Sequence, residues 1–486
     1  MKKVFVFIAA TAFCFTLFAG GFVTNTNQSA KFLRNPARTA STEIDAIFSN
    51  PAGLSFMDGT FAISLNNQMA FQTRTIKATF APFALNGGKE TKEYVGKAQS
   101  FFIPSIQIAY KIKNNWVISG SFSIMGGGGT LKFNDGLPMF EAQVSQLPIG
   151  LNSQLLTPMG IPNLTKYSLS QSLQGTSITY GAQLGLNYKV LNLVSFYAGA
   201  RACIVQNGYK GYIKNISINP NHPALGFNGD MVLASNYLNP LTAYLVSKNL
   251  MTQGKADTLK GQVADKELNL KQNGWGITPI LGAHFNWKYL NIGVRYEFNT
   301  KITVKNKTKT NTSGLTAFDN GVKSRNDMPA LFSAGVSYGF LKGKLTPSVG
   351  VHVFLDKYAK MPDDKQKYLK HNTYEILMGL EYVINDRFLV SAGAQITRLG
   401  ITDGAKLKEL PTGLKQDGFQ SNLAFSCNSF SIGLGGAVNI IKGLALNLSY
   451  FYTGYDKYVN NNPGYPGKEV YNRTSHTVGI GLDYKF

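Results

Sequence analysis

The last thirteen residues, TSHTVGIGLDYKF at 474–486, alternate strictly. Val478, Ile480, Leu482, Tyr484 and Phe486 fall on one face, while Thr477, Gly479, Gly481, Asp483 and Lys485 fall on the other. A period of two is the signature of a strand with two chemically different sides. The same pattern returns upstream: Leu444, Leu446, Leu448, Tyr450 and Tyr452 make one row, and Leu290, Ile292, Val294, Tyr296 and Phe298 make another, opposite Asn291, Gly293, Arg295, Glu297 and Asn299. About fourteen such segments can be counted, near 61–80, 100–113, 115–133, 176–190, 193–215, 273–288, 289–307, 327–340, 344–358, 372–384, 386–399, 428–441, 443–456 and 473–486. After the N-terminus, no run approaches the ~18 apolar residues that a membrane helix requires.

The connections sort by length. KIKNN, KVLN, WKY, LKGK, INDR and IKG are tight, whereas 134–175, 216–272, 308–326, 359–371, 400–427 and 457–472 are long. Short and long connections alternate, as in barrels with periplasmic turns and extracellular loops, and an even strand number fits single-chain bacterial barrels. Hydrocarbon cannot hydrogen-bond a backbone, so a sheet that spans it must close on itself. The expected fold class is therefore all-β: a transmembrane antiparallel β-barrel of about fourteen strands over 60–486, with its Tyr, Phe, Leu, Ile and Val face toward lipid. Arg201, His284, Arg295, Glu297, Glu375 and Glu381 are then expected to point inward. The composition agrees, with 50 glycines, 32 phenylalanines, 24 tyrosines and only 15% charged residues.

The first twenty residues carry Lys2 and Lys3, an apolar stretch and small residues at 19–21, the pattern of a secretory signal cut within 19–21. Export changes the reading of the +22 charge. Anionic lipid and lipopolysaccharide are the expected partners, not nucleic acid. Only Cys203 and Cys427 remain beyond the signal, which argues against a disulfide framework. The five histidines show no metal-ligand spacing and there is no GxSxG elbow, so neither a catalytic residue nor a metal or other cofactor is expected and the chain is not read as an enzyme.

Residues 21–59 break the alternation and contain two Asn-Pro-Ala triplets, Asn35-Pro36-Ala37 and Asn50-Pro51-Ala52. Proline resists central strands, so this stretch is expected to be irregular, with a short helix near 41–48. It could hang below the barrel as a tail or fold into the lumen as a hatch; Phe22, Phe32, Leu33, Ile44, Ile47 and Phe48 favour burial.

The third strand contains Gly126, Gly127, Gly128 and Gly129. Its apolar residues are even-numbered before the glycines (Trp116, Ile118, Phe122, Ile124) and odd-numbered after them (Leu131, Phe133). One inserted residue would exchange the two faces in this way, and the alternative is a strand fraying into a loop. A phosphate loop is disfavoured, because Lys132 has the wrong spacing and no helix follows.

On SNPAGLSFM at 49–57, the Gly21-Phe22 start, GWG at 274–276, YEFNTKITVKN at 296–306 and DMPALFSAGVSYGF at 327–340, with Pro329 opening strand eight, the chain resembles the FadL-type family of outer-membrane transporters for long-chain fatty acids and other hydrophobic compounds, including the TodX-like proteins for aromatic hydrocarbons. The first triplet, in RNPARTAS at 34–41, departs from the family pattern. The resemblance implies a lumenal hatch carrying Asn50, Pro51 and Ala52. It also implies capture by apolar outer loops and lateral release at a kink in the third strand, here at the four glycines. Arg201, Arg295 and Phe22 become candidate substrate contacts. For the arginines the competing reading is a structural ion pair with Glu297, Glu375 or another interior acid. The implied partners are hydrophobic small molecules such as fatty acids or aromatic hydrocarbons, handled by a monomer in the outer membrane of a Gram-negative-type bacterium. The competing function is a general diffusion porin for polar solutes.

Overall fold

A computed structural model describes residues 27–113, 115–401, 406–410, 413–422 and 424–486; the signal segment and Phe22 lie outside them. The chain forms fourteen antiparallel barrel strands. They are β1 (Phe61–Thr79), β2 (Thr91–Lys113), β3 (Trp116–Phe133), β4 (Tyr167–Val190), β5 (Val194–Ile218), β6 (Lys266–Trp287), β7 (Leu290–Glu297, resuming as Thr303–Asn311), β8 (Lys323–Arg325, resuming as Leu331–Tyr338), β9 (Leu345–Phe354), β10 (Thr373–Val383), β11 (Phe388–Arg398), β12 (Ser429–Ile441), β13 (Leu444–Tyr455) and β14 (Lys468–Lys485). Each strand pairs with the next, and β1 pairs with β14 from Ala62↔Lys485 to Thr79↔Lys468, so the sheet is closed. Closure satisfies both edges. Tight turns at one end use residues in the left-handed region, such as Asn192 at φ 55° and Gly443 at φ 83°, which suit two-residue hairpins. Among the described residues no helix is long and apolar enough to cross a membrane.

The lower two thirds of the wall follow the expected pattern. Leu65, Ile108, Phe122, Leu184, Ile292, Leu380, Leu434 and Ile480 are exposed on the outside, and Trp116, Tyr188, Trp287, Tyr289 and Tyr484 ring the short-turn rim. Such an apolar band with an aromatic girdle is the outer surface of a lipid-embedded barrel. Inside, Ser64, Gln107, Ser123, Asn187 and Ser333 are buried.

Toward the long-loop end the pattern inverts. Ile76 and Ala78 of β1, Leu131 and Phe133 of β3, Leu268 and Leu270 of β6 and Tyr471 of β14 all point inward into one large apolar cluster, while Lys77, Lys132 and Lys271 face outward, exposed. Above a hydrocarbon layer the outer face meets water, so the apolar side of the strand turns to the interior.

This inversion corrects two sequence expectations. The strands extend further than read, and the two longest loops shrink to 134–166 and 219–265. GWG at 274–276, at the start of the segment read as 273–288, lies well inside β6. The apolar residues of β3 change parity because the environment changes sides, not because one residue is inserted. Register steps between Ile124 and Gly126 and between Gly127 and Gly129 offset β3 by two residues relative to β4, which preserves parity. The true one-residue flip lies in the neighbouring β2, where Ile103, Ser105, Gln107 and Ala109 are buried below and Tyr94 and Gly96 above.

Candidate functional site: hatch, wall gap and interior charges

Residues 27–57 lie within the barrel and are almost wholly buried. Two short helices, α1 (Ala30–Arg34) and α2 (Ala46–Ser49), replace the single helix expected near 41–48. Ser29 caps α1, its Oγ accepting from Phe32 N at 3.1 Å; this Ser signal was present in the sequence. The wall makes room with glycine: a Cβ at Gly293 would strike Thr39 O, one at Gly379 the Asn35 side chain, and one at Gly433 Leu33 O.

The two Asn-Pro-Ala triplets dock on different parts of the wall. Asn50 Nδ2 donates to Ala283 O of β6 at 3.0 Å, Asn187 Nδ2 of β4 donates to Pro51 O, and Ser195 Oγ of β5 donates to Ala52 O at 2.5 Å. Pro51 opens a 3-10 turn, Pro51–Phe56, where its missing N–H costs nothing. Asn35 Oδ1 accepts from Ala37 N at 3.2 Å and from Ser348 Oγ of β9 at 3.3 Å, so the triplet that departs from the family pattern serves as the second dock.

Ion pairs hold the β10–β14 side. Lys31 Nζ meets Asp483 at 2.9 Å and Glu43 at 3.1 Å, and Arg34 Nη1 meets Glu381 at 2.9 Å. Arg38 grips Asp45 through Nε (2.8 Å) and Nη2 (2.9 Å) and also reaches Glu381 at 3.3 Å. Burial pulls the Lys31 ammonium down, but Asp483, Glu43 and Asp45 outweigh it and leave the group above the ordinary lysine value. These cations were not singled out in the sequence, since Lys and Arg in an irregular segment read as solvated.

The four glycines sit at a break in the wall. Pairing of β2 with β3 runs from Gly96↔Phe133 to Gln99↔Thr130, stops, and resumes at Ser105↔Ser123. Over this interval β3 stays paired with β4 through Ile124, Gly126, Gly127 and Gly129. Gly127 has φ 72°, and a Cβ there would strike Ser177 O, so only glycine fits without strain. On the facing edge Phe101 and Phe102 are exposed at 65% and 70%. Asn67 of β1 patches the β2 bulge, accepting from Ile103 N (2.9 Å) and donating to Phe101 O (3.1 Å). Ile103, Ile124 and Met125 are buried around the break.

Arg201 and Arg295 both face the lumen, and both already have a carboxylate. Arg201 engages both oxygens of Glu297, and Arg295 Nη2 lies 3.1 Å from Glu297 Oε1 and donates to Phe48 O of the hatch. Of the two sequence readings, the ion pair is the arrangement present. Glu375 accepts from Gln395 at 2.9 Å and lies 3.0 Å from His352 Nδ1.

The outer loops close over the lumen. Helices α3 (Pro138–Leu151), α4 (Ala234–Ser247) and α5 (Gln253–Val263) bury Phe140, Leu147, Tyr237, Leu241 and Leu259 in the apolar cluster. Much of the loop surface expected to capture substrate is thus spent on self-packing, and one of the clefts left there is small, about 30 Å³, and lined by Phe140, Leu173, Tyr212, Ile213 and Leu268 among others. The buried Glu141 ties α3 to β2 and β4, accepting from Tyr94 OH (2.6 Å) and Tyr167 OH (2.9 Å).

No family model and no curated protein matches the sequence. Solved structures do. A Pseudomonas aeruginosa FadL homologue aligns with a TM-score of 0.59 at 13% identity, covering 96% of this chain and 100% of that one. The Ralstonia pickettii toluene transporter TbuX aligns with a TM-score of 0.53 at 13% identity over 96% and 100%. The Pseudomonas putida toluene transporter TodX aligns with a TM-score of 0.51 at 14% identity over 97% and 99%. End to end, this chain shares the barrel fold of the FadL- and TodX-type transporters.

Proposed function

We propose that the protein is an outer-membrane channel that takes up hydrophobic compounds, long-chain fatty acids or aromatic hydrocarbons, without cofactor or energy source and as a monomer. The observation that carries this reading is the unpaired interval between β2 and β3. Unpaired backbone facing hydrocarbon is costly, and a chain that keeps it beside glycines and two exposed phenylalanines gains a side exit. A lipophile leaving there passes into the bilayer and avoids water. The buried hatch and the apolar outer cluster argue against a permanently open aqueous pore of the porin type. In this reading the hatch shifts to admit substrate, and the apolar belt and basic loops contact lipid and lipopolysaccharide.

The test pins the exit. A Cβ built at Gly129 lies 3.6 Å from Ser100 Cβ, within the span of a disulfide. Cells expressing the S100C/G129C protein should take up labelled palmitate and toluene when reduced and lose most of that uptake when oxidised. Uptake no higher than in vector controls would overturn the transport reading, as would large steady ion conductance from the intact protein in a planar bilayer. Full uptake with the bridge formed would overturn the lateral exit alone.

A further inference from the structure

Above the apolar band, the outer face of the wall carries lysines in cross-strand register. Lys97 of β2 lies directly opposite Lys132 of β3, Lys271 of β6 opposite Lys307 of β7, and Lys305 of β7 opposite Lys323 of β8. All six are exposed. Lys132 pairs with Gln174 of β4, and Gln174 pairs with the exposed Lys210 of β5, so the row is continuous between the pairs. Like charges directly opposite one another weaken a sheet, and uncharged polar residues would wet this surface without that cost. The acids at this height are placed elsewhere: Glu267 lies 3.0 Å from Lys214, and Glu93 sits opposite Lys77. Among the described residues, no lysine of the row lies within ion-pair distance of a carboxylate.

The row marks a chemical boundary on one sector of the barrel. Further down the same faces come Phe101 below Lys97, Ile204 below Lys210, and Trp275 and Ile277 below Lys271, all exposed. At the same height on the β14–β1 seam the outward pairs are uncharged, Thr73 with Thr474 and Thr75 with Asn472. The cations are therefore not a uniform fringe; they begin at the break in the wall. Lys97↔Lys132 is one of only four pairs, Gly96↔Phe133 to Gln99↔Thr130, that join β2 to β3 above the unpaired interval. A repulsive pair sits where the ladder is shortest.

Resting on the outer-membrane reading above, we propose that this lysine row binds the phosphates of an outer-leaflet glycolipid, lipopolysaccharide, and that a phosphate shared by Lys97 and Lys132 clamps β2 to β3 at the upper lip of the wall break. A phosphate supplies the negative charge and acceptor oxygens that the row lacks, and an ammonium binds it as a compact point charge. Three strand spacings, about 14 Å, separate β2 from β5, so a head group with two phosphates reaches from the Lys97–Lys132 pair to Lys210. Its acyl chains descend over Phe101, Ile204 and Trp275. A glycerophospholipid with one phosphate fills only part of the row.

The test uses the full-length protein, purified in neutral detergent and freed of lipid, with EDTA present so that divalent cations cannot bridge. Purified lipopolysaccharide should bind the native protein, raise the midpoint of heat-modifiable gel migration, and slow amide exchange at 96–99 and 130–133. K97Q/K132Q/K210Q should bind it about a hundredfold more weakly, each lysine beside an anionic surface contributing about fivefold. Without lipopolysaccharide this variant should unfold at no lower temperature than the native protein, because a repulsive pair is gone; a folding defect therefore cannot imitate the loss. K97R/K132R/K210R should keep the binding. No binding by the native protein, binding that survives the glutamine variant, or equal stabilisation by phosphatidylglycerol overturns the site. Binding that leaves exchange at 96–99 unchanged overturns the clamp. Each of these failures leaves the uptake reading standing, since palmitate and toluene uptake tests that separately.

Discussion

Arg201 on β5 reaches past β6 to hold both carboxylate oxygens of Glu297 on β7. The same carboxylate is shared with Arg295, which in turn donates to the hatch at Phe48 O. One acid is therefore shared by two buried guanidiniums, and through Arg295 it couples the wall to the hatch. Glu297→Gln leaves both without a charge partner, a change that costs about 3 to 5 kcal/mol in buried pairs. Heat-modifiable gel migration should show the variant unfolding at a clearly lower temperature than the native protein; an unchanged midpoint would contradict the arrangement.

Glu381 of β10 binds Arg34 and Arg38 of the hatch. Arg34 is among the most deeply buried large side chains, so Glu381→Gln should loosen the hatch at a cost of about 3 kcal/mol or more while the barrel wall stays paired. Planar-bilayer recordings should then show a several-fold higher ion conductance than from the native protein. Native-level conductance would mean that the pairs are not what seats the hatch.

By β-propensity alone, valine at Gly127 and Gly128 would be expected to favour strand pairing. The structure opposes it at Gly127: with φ 72° and Ser177 O in the path of a Cβ, even Gly127→Ala should destabilise the fold by about 1 to 3 kcal/mol. Folding yield and unfolding temperature should fall without closure of the wall. By contrast, Gly129→Ala meets only ordinary contacts, the nearest being Gln99 O at 3.4 Å, and should be tolerated.

Asp356 lies in the connection between β9 and β10 and is fully buried, with Thr373 N donating to Oδ2 at 3.1 Å. Burial raises its carboxyl to about 7. A folded pKa above the unfolded value means that the contribution to stability is present at low pH and lost as pH rises through about 7. Amide protection factors in 355–372, taken relative to the intrinsic exchange rate at each pH, should therefore be lower at pH 8 than at pH 6, by roughly the tenfold that one pKa unit represents. Asp356→Asn should remove that dependence, and equal protection at both pH values in the native protein would refute it.

The barrel was legible because lipid imposes one rule on every strand: apolar residues outward, and loop lengths sorted by side. The strand number, the short turns and the inward direction of Arg201, Glu297 and Glu375 all follow from that period. The hatch was legible only as a stretch where the rule fails. Its docking was not, because Lys31 with Asp483 and Arg34 with Glu381 join residues several hundred positions apart that no local pattern links. The extent of the strands and the parity of β3 were misread for one reason. Beyond the apolar band the outer face meets water, so Leu131 and Phe133 turn inward where Phe122 and Ile124 had suggested a continuing outer row. The sequence by itself determined a closed, lipid-facing wall with glycines at one weak point. Tertiary structure decided which arginines are neutralised, where the ladder opens and where Arg74 meets Arg473, because these depend on distant strands brought into register by closure of the barrel.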